Sequence, residues 1–164
     1  MRLLIKQVIL LAFLGIIVAS CSKDSNEALP DGTPDYIEFG SYHGFCGGEK
    51  CIEIFRLDDV SVYEDTTDLY PSGTLNDERK FILLSSEKFE KVNSLIADFP
   101  SALLDETKVT FGIPDAYDQG GYYVGYKKEN VLRVWLFDKN LNEVPSYTHS
   151  FLTEVAAKVE LLKD

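Results

Sequence analysis

The chain has 164 residues, of which 45% are hydrophobic, and its formal net charge is −11. The hydrophobic fraction excludes a disordered polymer, and the length is typical of one domain with a single core. The acidic balance argues against nucleic acid and anionic lipid headgroups as partners, because both are bound through clusters of Lys and Arg. It is compatible with a cationic partner or a divalent ion, and equally with solubility alone.

Residues 1–20 have the pattern of an export signal. Two basic residues precede an apolar run at 8–18, which is too short to span a bilayer comfortably. The segment leads into Val18-Ala19-Ser20-Cys21, which resembles the lipobox of bacterial lipoproteins. The resemblance implies cleavage before Cys21, diacylglycerol on its thiol and an acyl chain such as palmitate on its amine. An ordinary secretory signal or a short membrane anchor is the alternative.

Residues 21–34 are predicted to form a flexible tether between the lipid and the domain. The segment is polar and contains two prolines and a glycine. As a coil it would average about 20 Å from end to end, so the domain is expected close to the membrane. Ser22 stands where inner-membrane retention signals have Asp, and the resemblance therefore favours the outer membrane over the inner membrane.

The remainder, residues 35–164, is predicted to form one globular α+β domain. Alternating and β-rich patterns predict strands at 36–39, 51–57, 60–64, 122–126 and 131–137, with weaker candidates at 80–84 and 108–111. Helical spacing of apolar residues predicts one amphipathic helix that ends before Pro100 and another that starts near Pro145. The expected fold is an antiparallel sheet of about five strands with both helices on one face.

The strand at 131–137 has two different faces. Three aliphatic residues share one face, and Trp135 lies on the other. The aliphatic face is predicted to point into the core, so that Trp135 and the neighbouring Tyr122 become candidates for stacking on a sugar or anchoring a partner. The alternative is that these aromatic residues fill the core.

A glycine-rich loop contains Cys46 and Cys51, which are predicted to form a disulfide because the export signal places them in an oxidising compartment. Closing so short a loop contributes about 2 kcal/mol to stability. Free thiols are one alternative. Another is a metal site in which His43 joins the two cysteines and a nearby glutamate. His43 is therefore a candidate binding residue.

A second loop, at residues 115–121, contains two carboxylates, a glutamine and two glycines. Asp115 and Asp118 could hold Ca²⁺ together with backbone carbonyls, although the spacing is not that of an EF-hand. Asp and Gly are also the residues that tight turns use, and the turn interpretation is preferred.

No motif for nucleophilic catalysis or nucleotide binding occurs, and no cofactor is predicted. The sequence therefore favours a non-enzymatic binding or interaction module, anchored through Cys21 and facing an envelope protein as partner. The alternative is a metal- or Ca²⁺-dependent enzyme or binding protein that uses the loops at 43–51 or 115–121. A purely structural envelope protein is a third possibility.

Overall fold

The computed structural model describes residues 32–46, 49–74 and 78–163. The predicted signal, Cys21 and most of the predicted tether lie outside the described residues. Among the helices in the described part, none combines the length and the apolar character needed to cross a membrane.

Within the described residues there are seven strands: β1 (Tyr36–Tyr42), β2 (Ile52–Leu57), β3 (Val62–Asp65), β4 (Phe81–Leu83), β5 (Thr110–Phe111), β6 (Gly121–Lys128) and β7 (Val131–Asp138). They form one sheet in the order β4-β3-β2-β1-β6-β7-β5. Strands β1 to β4 form an antiparallel meander, and the β6–β7 hairpin continues the sheet from the other edge of β1. The strand at the far edge, β5, pairs with β7 in parallel.

The α+β class is as predicted, but the prediction of about five antiparallel strands is wrong, because the sheet is mixed and has seven. Strands β4 and β5 have only three and two residues, so their sequence patterns barely differ from those of loops. Moreover, β5 pairs with β7 and not with β6, the next strand in the chain. A rule that pairs strands joined by short connections as antiparallel neighbours therefore misses it. Stacking of Phe111 on Phe137, with ring centroids 5.1 Å apart, holds this parallel edge.

In the part of the chain that the structure describes, two α-helices cover one face of the sheet. Helix α1 (Ser86–Val92) begins after Ser85, whose hydroxyl accepts a hydrogen bond from the Lys88 amide, and it continues into a 3₁₀ turn at Asn93–Ile96. Helix α2 (His149–Leu162) follows a short 3₁₀ turn after Pro145. Apolar side chains from both helices and the sheet form the main core, which includes Val92, Leu95, Leu152, Val155, Val159, Ile37, Phe39, Phe55 and Val124.

The face of β7 that enters this main core is the face of Trp135, which is only 1% exposed. The prediction that the aliphatic face points into the core is therefore wrong. Val134 and Leu136 belong to a smaller cluster on the opposite face, and Leu132 is 46% exposed. A sheet with one buried face would have left these residues in solvent, but the segment between β3 and β4 covers part of the second face.

That covering segment is anchored by aromatic and charged contacts. The ring of Tyr70 meets the ring of Tyr42 edge-on, with centroids 5.2 Å apart. The guanidinium of Arg79 lies 5.3 Å from the ring centre of Tyr123 and forms a buried ion pair with Asp65 at the end of β3. On the second face, the described residues 66–74 and 78–80 thus cover a mixture of apolar and charged side chains.

Candidate functional site

Two loops come together at one end of the sheet, here called the loop end. The loop at 43–51 joins β1 to β2, and the loop at 112–120 leads into β6. The first loop begins after Tyr42 and ends before Ile52, and the second loop ends before Gly121. Ile52 and Gly121 both pair with Tyr42 of β1. The backbone amide of Gly44 donates to the Asp115 carboxylate at 2.6 Å, although the two residues are 71 positions apart in the chain.

Asp115 is the centre of this junction. Its Oδ2 accepts hydrogen bonds from the Gly44 amide and from the Tyr70 hydroxyl, the latter at 2.9 Å, and its Oδ1 accepts from the Gly120 amide at 2.9 Å. Burial and the hydrogen bond to Asp115 raise the pKa of Tyr70 to about 12, so the phenol remains a donor at neutral pH. One carboxylate therefore joins three separate segments of the chain.

This bonding pattern supports the preferred interpretation of residues 115–121 as a turn over the alternative of a Ca²⁺ site. Asp115 and Asp118 have φ angles of +59° and +57°, a left-handed conformation that Asp tolerates in tight turns. Both oxygens of Asp115 already accept hydrogen bonds from protein donors. Across the described ranges, no group of three or more His, Cys, Asp or Glu side chains is placed to hold a metal ion.

The predicted disulfide is present in the neighbouring loop. The sulfur atoms of Cys46 and Cys51 are 2.01 Å apart, and the Cα atoms are 5.6 Å apart, within the normal range for a disulfide. Neither sulfur is therefore a free thiolate, which removes the ligands on which a His43–cysteine metal site depended. Instead, the His43 amide donates to the Cys51 carbonyl at 2.9 Å and closes the base of the loop.

A second carboxylate, Asp138, was not identified from the sequence. It is 3% exposed at the end of β7 and accepts hydrogen bonds from the amides of Ile113 and Asn140 and from the Gln119 side chain. It therefore fixes the loop at 112–120 at Ile113 and Gln119. The sequence signal was weak, consisting of an Asp that ends an apolar strand just before Lys-Asn, as in an Asx turn.

Large apolar side chains on three segments at the loop end are exposed to solvent. Phe45 is 85% exposed, Tyr117 86%, Ile113 68% and Tyr70 51%. These segments meet at Asp115, which accepts hydrogen bonds from Gly44 beside Phe45, from the Tyr70 hydroxyl, and from Gly120 of the loop that carries Ile113 and Tyr117. These four residues are called the loop patch. A hollow of about 250 Å³ beside Ile113 and Tyr117 is also lined by Asp138, Asn140 and Glu143.

The predicted aromatic binding residues lie elsewhere. Trp135 is in the main core, where Phe99 packs against it with ring centroids 6.1 Å apart, so it is not available for surface stacking. Tyr122 is half-buried on the helix side of the sheet and lines a cleft near the loop end. The exposed aromatic residues belong to the loops and not to the hairpin.

This cleft, here called the cationic cleft, has a volume of about 310 Å³. Its polar centre is a contact of 2.7 Å between Lys139 Nζ and His43 Nε2. Burial lowers the pKa of His43, and the charge of Lys139 lowers it further. The imidazole is therefore neutral, and its Nε2 accepts a hydrogen bond from Lys139. The lining comprises Ser41, His43, Tyr122 and Lys139 on the sheet side and Ala156, Val159, Glu160 and Lys163 from α2 and the residue after it.

Comparison with known proteins gives one partial likeness. No protein-family model matches the chain. Over 99 residues the chain is 28% identical to Ribonuclease 3 of Aliarcobacter butzleri (strain RM4018), a match that covers 58% of this chain and 44% of that protein. The chain thus spans less than half the length of this relative, and the likeness is too limited to assign the chain to its family.

Proposed function

We propose that this protein is a lipid-anchored lipoprotein of the bacterial envelope, placed in the outer membrane, whose domain is a non-enzymatic binding module. We further propose that the domain engages an envelope protein through the loop patch. The observation that supports this proposal best is the position of the loop patch, at the end of the sheet opposite the point where the predicted tether enters the domain.

The tether enters beside the β6–β7 turn. The Thr33 carbonyl accepts a hydrogen bond from Lys128 Nζ at 2.9 Å, and the Asp35 amide donates to the Lys127 carbonyl at 2.8 Å. Strand β1 then runs from Tyr36 to the loop end at Tyr42, a distance of about 20 Å at the usual rise of a strand. A domain anchored at the tether end would therefore present the loop patch away from its anchor.

The chemistry of the loop patch suits a protein partner. Aromatic residues dominate the energetic centres of interfaces, and a charged rim surrounds such centres. The disulfide and the Asp115 hydrogen bonds hold the loops in place before binding, which reduces the ordering entropy that association costs. Asp118 is exposed nearby and Glu143 lines the adjacent hollow, so the partner should offer an apolar hollow with a basic rim.

The alternative of a metal- or Ca²⁺-dependent activity has less support. The cysteine sulfurs bond to each other, and Asp115 is engaged by three donors. The activity in the name of the ribonuclease relative is not extended to this chain, because the identity is 28% over 44% of that protein. The net charge of −11 also disfavours binding to the phosphates of RNA.

Replacing Cys21 with alanine should release the protein from the membrane fraction or leave it uncleaved. Each buried CH₂ of an acyl chain contributes about 0.8 kcal/mol to membrane binding, so stable anchoring needs more than one chain. The variant lacks the thiol on which lipidation starts. Membrane fractionation and intact mass of the product provide the measurement. The control is the double variant Cys46→Ser/Cys51→Ser, which should stay membrane-bound. A cleaved Cys21→Ala product that remains with membranes would contradict lipid anchoring.

The loop patch can be tested with a photo-cross-linking amino acid placed at Ala116, an exposed position between Asp115 and Tyr117. In living cells, the wild-type background should give an adduct of discrete mass. The double variant Phe45→Ser/Tyr117→Ser should lose most of it, because each aromatic anchor of an interface contributes about 2 kcal/mol, roughly thirtyfold in affinity.

A matched control separates contact from general loss of surface hydrophobicity. Val60 and Leu83 are 70% and 65% exposed but lie away from the loop end. Val60→Ser/Leu83→Ser should therefore leave the adduct unchanged. Equal yields of the adduct in all three backgrounds would show that the loop patch is not the binding surface.

A further inference from the structure

We propose that the cationic cleft is a binding site for a small monocarboxylate with a short aliphatic or aromatic body. The cleft lies on the helix side of the loop end, and its chemistry differs from that of the loop patch. The inference therefore does not depend on the proposed protein partner.

The main observation is the environment of Lys139. Its ammonium is half-buried, and its close polar contact is the neutral imidazole of His43 at 2.7 Å. Its Nζ also lies 5.8 Å from the ring centre of Tyr122. Within the described residues, no carboxylate lies within ion-pair distance of Lys139. Removing a charge from water is costly unless it is paired, so this half-buried cation, which lacks a carboxylate partner, is suited to bind an anionic ligand.

The charge of the lining sets the charge of the ligand. Across the cleft, Lys163 forms an ion pair with Glu160 at 2.8 Å, so the charges of these two side chains cancel. Because His43 is neutral, Lys139 leaves an excess of one positive charge among the lining residues. Asp115 acts on Lys139 at longer range, but it does not line the cleft, and its oxygens accept hydrogen bonds from the loop junction. The cleft therefore matches a ligand with one negative charge and does not match a dianion.

The shape and surface of the cleft indicate the size and polarity of the rest of the ligand. Val159 is 1% exposed, and together with Ala156 and the half-buried ring of Tyr122 it forms an apolar wall. A volume of about 310 Å³ is at the small end of ligand sites. The last turn of α2 borders the cleft, and the negative end of a helix dipole adds a further disadvantage for phosphate dianions. A carboxylate with a short apolar body fits these features.

The test is an NMR titration of the full chain carrying Cys21→Ala, with 3-phenylpropionate and hexanoate as probes. Both carboxylates should shift the amide signals of His43, Lys139 and the last turn of α2. The neutral analogue 3-phenylpropionamide should not, and inorganic phosphate should bind more weakly than either carboxylate. No shift with either carboxylate, equal binding of the amide, or tighter binding of phosphate would each overturn the proposal.

Variants locate the site. Lys139→Met should weaken carboxylate binding about tenfold or more, because the ligand loses a charged hydrogen-bond donor. Lys158→Met is the control. It removes a lysine of α2 that pairs with Glu154 outside the cleft, and it should leave binding unchanged. If Lys139→Met does not fold, His43→Gln gives a second test, because the loss of the imidazole should also weaken binding. Unchanged affinity in a folded Lys139→Met protein would place the ligand elsewhere.

Discussion

Replacing Arg79 with methionine should lower the free energy of unfolding by about 3–5 kcal/mol, the usual cost of removing one partner from a buried ion pair. The side chains of Arg79 and Asp65 are each 1% exposed, so the substitution would leave the carboxylate buried without its counterion. The Leu69 carbonyl, which accepts a hydrogen bond from Arg79 at 3.1 Å, would also lose its donor. Urea unfolding at pH 7 and fixed ionic strength gives the measurement.

Two further variants identify the cause of this loss. Lys91 forms an exposed pair with Glu87 on α1, and Lys91→Met should cost less than about 1 kcal/mol. In the double variant Arg79→Met/Asp65→Asn, the amide oxygen can still accept from Thr67, whose amide and hydroxyl donate to Asp65 at 3.0 and 2.6 Å. Since no unpaired charge remains, the double variant should be more stable than Arg79→Met alone. An Arg79→Met cost as small as that of Lys91→Met would show that the pair is not effectively buried.

This ion pair also bears on the loop patch. Arg79 holds down the segment that carries Tyr70, and Tyr70 reaches Asp115 at the loop end. Loss of the Arg79 anchor should therefore loosen one of the three segments that Asp115 joins. The stability of the second face and the geometry of the loop patch are therefore coupled through Tyr70 and Arg79.

The longer elements could be predicted from the sequence because their signals are local. Apolar alternation along β1, β2, β6 and β7 and the helical stripe of α2 depend only on neighbours in the chain. The disulfide between Cys46 and Cys51, which are five positions apart, could be predicted because the export signal implies an oxidising compartment. The boundaries of these elements differ from the predicted ones by only a few residues, as end effects would lead one to expect.

The candidate site could not be predicted, because its contacts join residues distant in the chain. Gly44 and Asp115 are 71 positions apart, and Lys139 and His43 are 96 apart. The sequence marks Gly120 only as a turn residue. In the fold, however, a Cβ at Gly120 would lie 2.3 Å from the Tyr42 carbonyl oxygen, so glycine is needed for the loop to approach β1. Such requirements become visible only when both loops are in place.

The prediction that the aliphatic face of β7 points into the core was wrong for a different physical reason. Part of the second face is covered as well, so the hydrophobicity of one face of a strand no longer decides which face meets the helices. The main core selected the face with the larger side chains, where Trp135 packs with Phe99 and Phe137 is fully buried. The sequence offered no pattern that identifies residues 66–80 as a cover for the second face.

Replacing Trp135 with alanine should therefore cost about 3–5 kcal/mol, the range for removing a large aromatic side chain from a core. The side chain is 1% exposed, and its ring contacts Phe99, which also meets Phe151 edge-on from α2 with centroids 5.7 Å apart. The cavity would lie between the sheet and the helices, where rigid neighbours limit collapse. Urea unfolding and the loss of near-ultraviolet circular dichroism provide the measurement.

Leu132→Ala is the matched control, because Leu132 lies three residues away on the opposite face of the same strand and is 46% exposed. Its cost should stay below about 1 kcal/mol, as for surface substitutions in general. Had the aliphatic face been the core, the order of the two costs would be reversed, since Leu132 would then lose buried contacts and Trp135 would not. A larger loss for Leu132→Ala than for Trp135→Ala would thus contradict the assignment of the core face and return Trp135 to the surface as a candidate for ligand stacking.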